Sequence, residues 1–130
     1  MIDAVRDILE ASPRVAYGLL FGSHARGTAH AQSDVDIAIG VVDRGHFGHE
    51  ELGDLVSKLE QATGRSVDVV IVHEAAIPLA FRVFREGVLL CAPDRKALVD
   101  QKARTIVSYF DFKPIHERCV AGALKAASRG

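Results

Sequence analysis

Apolar and polar positions change period several times along the chain, and each change marks an element. Ile2, Val5, Ile8 and Leu9 recur at helical spacing and predict a first helix that Ser12 and Pro13 end. Residues 14–21, RVAYGLLF, read as a strand, and residues 35–42, VDIAIGVV, as a second. Between them, residues 23 to about 30 predict a short helix or turn, and GTAHAQS reads as a loop of small and polar residues. Leu52, Leu55, Val56 and Leu59 share a helical face that Gly64 closes. Residues 66–72, SVDVVIV, predict a third strand. Pro78 suits the first turn of the next helix, with Ile77, Phe81 and Phe84 on one face and Gly87 at its end. VLLCA predicts a short fourth strand. Asp94 can cap a long helix whose inner face would be Val99, Ala103, Ile106 and Phe110. Pro114 can open a last helix with Ile115, Cys119 and Leu124 inward, and the KAASRG tail is expected to fray.

Strands alternating with helices predict an α+β fold of α/β layers, with about four strands and flanking helices. The link from residue 21 to residue 34 is shorter than most parallel crossovers need, so the sheet is expected to be mixed. With 130 residues, 48% of them hydrophobic, one domain spanning residues 1–130 can build a core without disulfide staples. Cys91 lies in an apolar run and Cys119 in a helix-like stretch; both read as buried thiols, with a disulfide as the second option that nothing demands. A net charge of −1 offers nucleic acid no general attraction, so no direct nucleic-acid contact is expected. The first residues, MIDAVRDILEASP, carry charges throughout, and no run approaches membrane-spanning length. A cytoplasmic protein with no membrane partner is the expectation.

Asp34 and Asp36 change the picture, because they open an apolar strand. Residues two apart in a strand face the same way, roughly 6.6 Å apart at their α-carbons. Both carboxylates therefore stand on one side, while Val35 and Ile37 point to the core on the other. Like charges this close repel and raise each other's pKa. A divalent cation removes the conflict, and Mg²⁺ favours one or two carboxylates plus phosphate oxygens. Asp68, alone among the apolar residues of the third strand, is a third candidate ligand. If the strands of Asp36 and Asp68 are neighbours, the three can hold two ions roughly 4 Å apart across a phosphoryl transfer. Upstream, Gly22 lets a phosphate approach the backbone. Ser23 offers a hydroxyl and an N–H at a helix start. Arg26, one turn on, can reach a phosphate or pair with an acid. Each feature has a plainer reading: Ser23 as a helix cap, Ser33-Asp34 as a turn, Asp68 paired with Arg65 or Arg82. The three together favour the metal and nucleotide site.

The stretch GSHARGTAHAQSDVDIAI, with ten residues between Gly22-Ser23 and Asp34-Val35-Asp36, resembles the signature of the DNA polymerase β-like nucleotidyltransferase superfamily. It is similar to the small bacterial branch, the minimal nucleotidyltransferases. FREGVLLCAPD and YFDFKPI also resemble the antitoxin members encoded beside HEPN-domain toxins. The resemblance covers nearly the whole chain and implies the polymerase β-like fold. It implies that Gly22 and Ser23 hold phosphates and that Asp34 and Asp36 bind metal. Asp68 would ligate the second ion and help deprotonate the attacking hydroxyl. Two Mg²⁺ ions and ATP as substrate follow from it, as does AMP transfer to a tyrosine of a cognate HEPN toxin, which silences that toxin. His24 stands where several members carry an aromatic or basic residue, a difference that bears on nucleotide fit. The resemblance leaves the oligomeric state, homomeric or heteromeric, undecided.

Other candidates carry less. His46 and His49, beside Asp43 and Glu50, have ligand-like spacing, but DRGHFGHE reads as a glycine-rich loop without a second ligand pair, not as a zinc site. His73 reads as a strand-end residue and His116 as helix surface. Arg82, Arg85, Lys102 and Arg104 read as solvated helix faces. YFDF, residues 109–112, reads as a cover for the core, with a protein interface as the second option. Two rival functions stand beside the enzyme: an antitoxin that works by binding alone, and a nucleotidyltransferase for a small molecule such as an aminoglycoside.

Overall fold

The computed structural model describes residues 1–42 and 47–111. In chain order the elements are α1 (Ile2–Ala11), β1 (Val15–Phe21), α2 (Ser23–Arg26), β2 (Val35–Val41), α3 (His49–Thr63), β3 (Val67–Ile71), a 3₁₀ turn (Val72–Glu74), α4 (Ile77–Glu86), β4 (Val88–Cys91) and a helix over residues 95–111, α5. The four strands form one sheet in the order β3-β2-β1-β4. β1 runs antiparallel to both β2 and β4, while β2 and β3 are parallel. The sheet is therefore mixed, as the short connection after β1 requires. The helix α3 supplies the crossover that a parallel β2–β3 pair needs.

Both faces of the sheet are covered. Val35, Ile37, Ile39 and Val41 alternate along β2 and join Val5, Leu9, Leu55 and Leu59 in a core beneath α1 and α3. On the other face Ala16, Tyr17, Leu19, Phe21 and Ala38 meet Ala80 and Val83 of α4, with Ala97 and Leu98 of α5 packed alongside. All seven residues of β1 are buried, because it is an interior strand between two helical layers. The register shifts between Val15 and Tyr17, which lets Ala16 and Tyr17, adjacent in sequence, both enter the second core. The Tyr17 ring lies across Gly40, its partner on β2, where any side chain would collide with it.

Several boundaries differ from the pattern reading. The short helix after β1 ends at Arg26 because Gly27 takes the left-handed conformation at φ 73°. Gly64 closes α3 as expected, at φ 66°, with its N–H donating to the Glu60 carbonyl. Asp94 caps α5 as expected: its Oδ1 accepts from the Ala97 N–H at 3.1 Å. The inward faces of α4 and α5 differ, however. Ala80 and Val83 are the buried residues of α4, while Ile77 is exposed and Phe81 and Phe84 are half-buried. In α5 Thr105 is buried, whereas Val99 and Phe110 are each 57% exposed. The sheet already presents bulky Tyr17, Leu19 and Phe21 to this layer, so small side chains let the helices approach it. Cys91 is a buried free thiol whose pKa burial pushes up. Cys119, His46, Asp43, His116 and the helix foreseen after Pro114 lie outside the described residues. No helix among the described residues is long and apolar enough to cross a membrane.

Candidate active site

The antiparallel pairing of β1 with β2 sets Phe21 opposite Asp36. The parallel pairing of β2 with β3 sets Asp36 opposite Asp68. Residues in register share a face, so Asp36 and Asp68 both project to the side of α4 and α5, as do Ala38 and Val70. Val35 and Ile37 take the opposite side and are fully buried, as the alternation predicts. Asp34, two residues before Asp36, stands exposed at the same end of the sheet.

Gly22 follows Phe21 directly, at φ 74° and ψ −152°. That conformation is essentially restricted to glycine. A Cβ on Gly22 would collide with the Asp36 carboxylate, so the turn and the acid are fitted to each other. Ser23 then starts α2, whose first-turn N–H groups have no partner within the helix. The Ser23 hydroxyl makes no hydrogen bond among the described residues, and its carbonyl accepts from the Thr28 N–H at 3.0 Å.

The electrostatics of this end are unbalanced. Burial holds the Asp36 carboxyl above its ordinary range; repulsion from Asp68 and then Asp34 adds to the effect, and His24 and Arg26 pull the other way. No arginine or lysine among the described residues forms an ion pair with any of the three acids. The plainer reading of Asp68 therefore does not hold. Arg65 instead donates to the carbonyls of His30 and Ala31, at 3.1 and 2.8 Å. Arg82 is exposed and makes no ion pair among the described residues. Asp36 feels both other carboxylates, but the three do not close a cage: no three His, Cys, Asp or Glu side chains among the described residues converge on one ion position. An all-oxygen donor set with uncompensated charge suits a hard cation that takes its remaining ligands from elsewhere.

Three neighbours were not visible as site residues in the sequence pattern. Glu86, at the end of α4, faces Arg26 at 3.8 Å. His24 Nε2 lies 3.4 Å from the Ser33 carbonyl, bridging α2 to the residue before Asp34. Arg65 braces the same loop from beyond α3. No local signal marks Glu86 or Arg65, because each acts across a distance in sequence; His24 lies within the Gly-Ser motif, but its contact with Ser33 does not show there.

A family model described as polymerase beta, nucleotidyltransferase, matches residues 3–96. The chain belongs to the polymerase beta nucleotidyltransferase family. Both Gly22-Ser23 and the three acids of this family member fall within the matched residues. It is similar to protein adenylyltransferase MntA of Shewanella oneidensis, 33% identical over 75 residues, which is 58% of this chain. The chain spans about half the length of that curated relative, 52%. Among solved structures it is similar to a chain of a toxin-antitoxin with AMP-PNP, at TM-score 0.79 and 24% identity, covering 95% of this chain and 98% of that one. It is also similar to a chain of the complex of tri-AMPylated Shewanella oneidensis HEPN toxin with MNT antitoxin. There the TM-score is 0.70 and the identity 20%, covering 95% of this chain and 99% of that one. These two structural likenesses establish the fold.

Proposed function

We propose that the protein is a Mg²⁺-dependent protein adenylyltransferase that transfers AMP from ATP to a tyrosine of a HEPN-domain toxin and so neutralises it. The observation that carries the reading is the registered pair Asp36–Asp68, with Gly22 held against Asp36 by its left-handed backbone. Asp34 and Asp36 would hold one ion and Asp68 would serve a second, an all-oxygen donor set that suits Mg²⁺. Gly22 admits the triphosphate to the backbone, while Ser23 and the start of α2 bind its oxygens. Arg26, tethered by Glu86, adds positive charge beside them. The Asp68 carboxylate draws the proton from the attacking tyrosine hydroxyl. The phenolic oxygen then bonds to the α-phosphorus, and pyrophosphate leaves. When bound, the metal would supply positive charge against the triphosphate and the leaving pyrophosphate. Positioned charge is most of what this reaction asks of a protein. The MntA relative and the AMPylated-toxin complex support the choice of AMP and of a HEPN acceptor. The reading sets the protein in the cytoplasm, where ATP is at hand.

The test is incubation of the protein with α-labelled ATP, Mg²⁺ and the cognate HEPN-domain protein. Label is expected on a tyrosine of that protein, and Asp36→Ala or Asp68→Ala is expected to abolish it. Wild type and Asp36→Ala labelling equally, or neither labelling, sinks the reading. Protection of cells by the Asp34→Ala/Asp36→Ala variant would favour an antitoxin that works by binding alone.

A further inference from the structure

Across α4 and α5, on the flank away from the sheet, aromatic rings and unpaired cations share one surface. Phe81 of α4 stacks on Tyr109 of α5, with ring centroids 3.8 Å apart and planes only 6° from parallel. Phe110 packs edge-on against both, at 6.2 and 5.8 Å, yet stays largely exposed. One turn before it, Val107 is 61% exposed. The Arg85 guanidinium lies 5.8 Å from the Phe81 ring centre. Two adjoining hollows flank this Phe81–Arg85 ridge. One, of about 320 Å³, is lined by Pro78, Leu79, Arg82 and Tyr109. The other, of about 260 Å³, is lined by Phe84, Lys102 and Ile106.

Cations outnumber acids on this surface: Arg82, Arg85 and Lys102 stand against Glu86 and the exposed Asp111, which follows Phe110. Arg82 and Lys102 are exposed and form no ion pair among the described residues. The acid beside Arg85 is Glu86, which also faces Arg26. That pairing ties the patch to the candidate active site. Glu86 lies five residues beyond Phe81 on the same helix, roughly 7.5 Å along its axis. A molecule seated on the ridge is thus held beside the α2 end of the sheet, where Arg26 stands one turn after Ser23.

We infer that this aromatic and cationic surface of α4 and α5 is the docking site of the acceptor protein, and that it receives an acidic segment with apolar side chains. Arg82, Arg85 and Lys102 supply the complement to its acids. Phe81, Phe110 and Val107 supply the apolar contact, with Tyr109 stacked behind Phe81. Exposed aromatics and arginines together are the composition of interface hot spots. The hydroxyl to be modified is then delivered by the rest of the docked protein. The inference rests on the adenylyltransferase reading for the identity of the acceptor, but not for the binding itself.

The cognate HEPN-domain protein serves as the probe. Its Kd is measured by calorimetry without nucleotide, and its KM in the AMP-transfer assay. Arg82→Glu/Lys102→Glu is expected to raise both at least tenfold, with binding of a fluorescent ATP analogue and the melting temperature unchanged. Phe110→Ser is expected to weaken binding through the apolar half. A photo-crosslinking p-benzoylphenylalanine in place of Val107 is expected to capture the HEPN protein. Kd and KM within twofold of wild type in the charge-reversal variant would overturn the inference. So would capture by the chain's own residues 112–130, or a wild-type protein that does not bind the probe. Wild type that binds the HEPN protein but transfers no AMP would end the enzymatic reading, and the Kd comparison would still decide the docking surface.

Discussion

Gly22 joins the backbone to the chemistry, and its substitution separates the two. Its φ of 74° belongs to glycine, and a methyl group there meets the Asp36 carboxylate. Gly22→Ala is expected to cost about 1–3 kcal/mol in urea unfolding, the range for a side chain held in such a conformation. On the adenylyltransferase reading it should also abolish AMP transfer; unchanged stability and activity would refute the fit. Asp36 yields a prediction of the opposite sign. Burial and the neighbouring acids keep its carboxyl above the ordinary range. The native protein therefore binds that proton more tightly than the unfolded chain does. Stability from this group is full below the unfolded value and is lost as the pH rises through the native one. For the protein without metal or nucleotide, Asp36→Asn should raise stability near neutral pH, by about 0.5–2 kcal/mol, as when a functional site is relieved. The gain should vanish in acid, below the ordinary carboxylate range. Melting curves at the two pH values decide it, and a lower melting temperature at neutral pH would count against it. The spacing of Gly22, Ser23, Asp34 and Asp36 was legible in the sequence because strand alternation and turn chemistry are local. Glu86 and Arg65 were not, because what they touch is far away along the chain.

At the scale of elements, helical periods were legible and their phase was not. Residues 77–86 and 95–111 do form helices, but the apolar pattern turns their largest side chains inward, and of those on α4 only Phe84 packs against the core. The structure turns Ala80, Val83 and Thr105 to the sheet and leaves Val99 and Phe110 outside. The reason lies in β1, whose Tyr17, Leu19 and Phe21 fill the layer from the other side. A hydrophobicity pattern reports that a helix has an apolar stripe; it does not report which partner already supplies the volume. In α3, where the sheet offers alternating Val and Ile, the reading and the structure agree on Leu55 and Leu59. Leu59→Ala should therefore cost about 2–5 kcal/mol, as for a leucine removed from a packed core. Val99→Ala in α5 should stay within about 0.5 kcal/mol, as at a surface position. Equal losses in chemical denaturation would show that the face of α5 is misassigned.

At the scale of the molecule, strand order and register assemble the candidate site. Alternating strands and helices foretold a mixed layered sheet, but nothing local says that β2 lies between β1 and β3, and only that order sets Asp36 beside Asp68. If the site binds nucleotide through metal, occupancy stabilises the whole fold by mass action. ATP with Mg²⁺ at a hundred times its dissociation constant should add about 2.7 kcal/mol to unfolding. Chelation with EDTA or the Asp36→Ala change should remove the gain, as read by thermal melting. An equal gain with EDTA present would show that nucleotide binds without metal.

The pairing of Phe21 with Asp36 also constrains how the chain can misfold. Side chains alternate with a period of two, so sliding β2 by one residue would exchange its two sides. Asp34 and Asp36 would be driven among Leu9, Leu55 and Leu59, and buried charge without a partner is prohibitive. Ile37 and Ile39 would at the same moment be forced into the layer that Tyr17, Leu19 and Phe21 already fill. The acids of the candidate site thus double as a register mark, and a chain stripped of them should sample shifted pairings that the natural chain forbids.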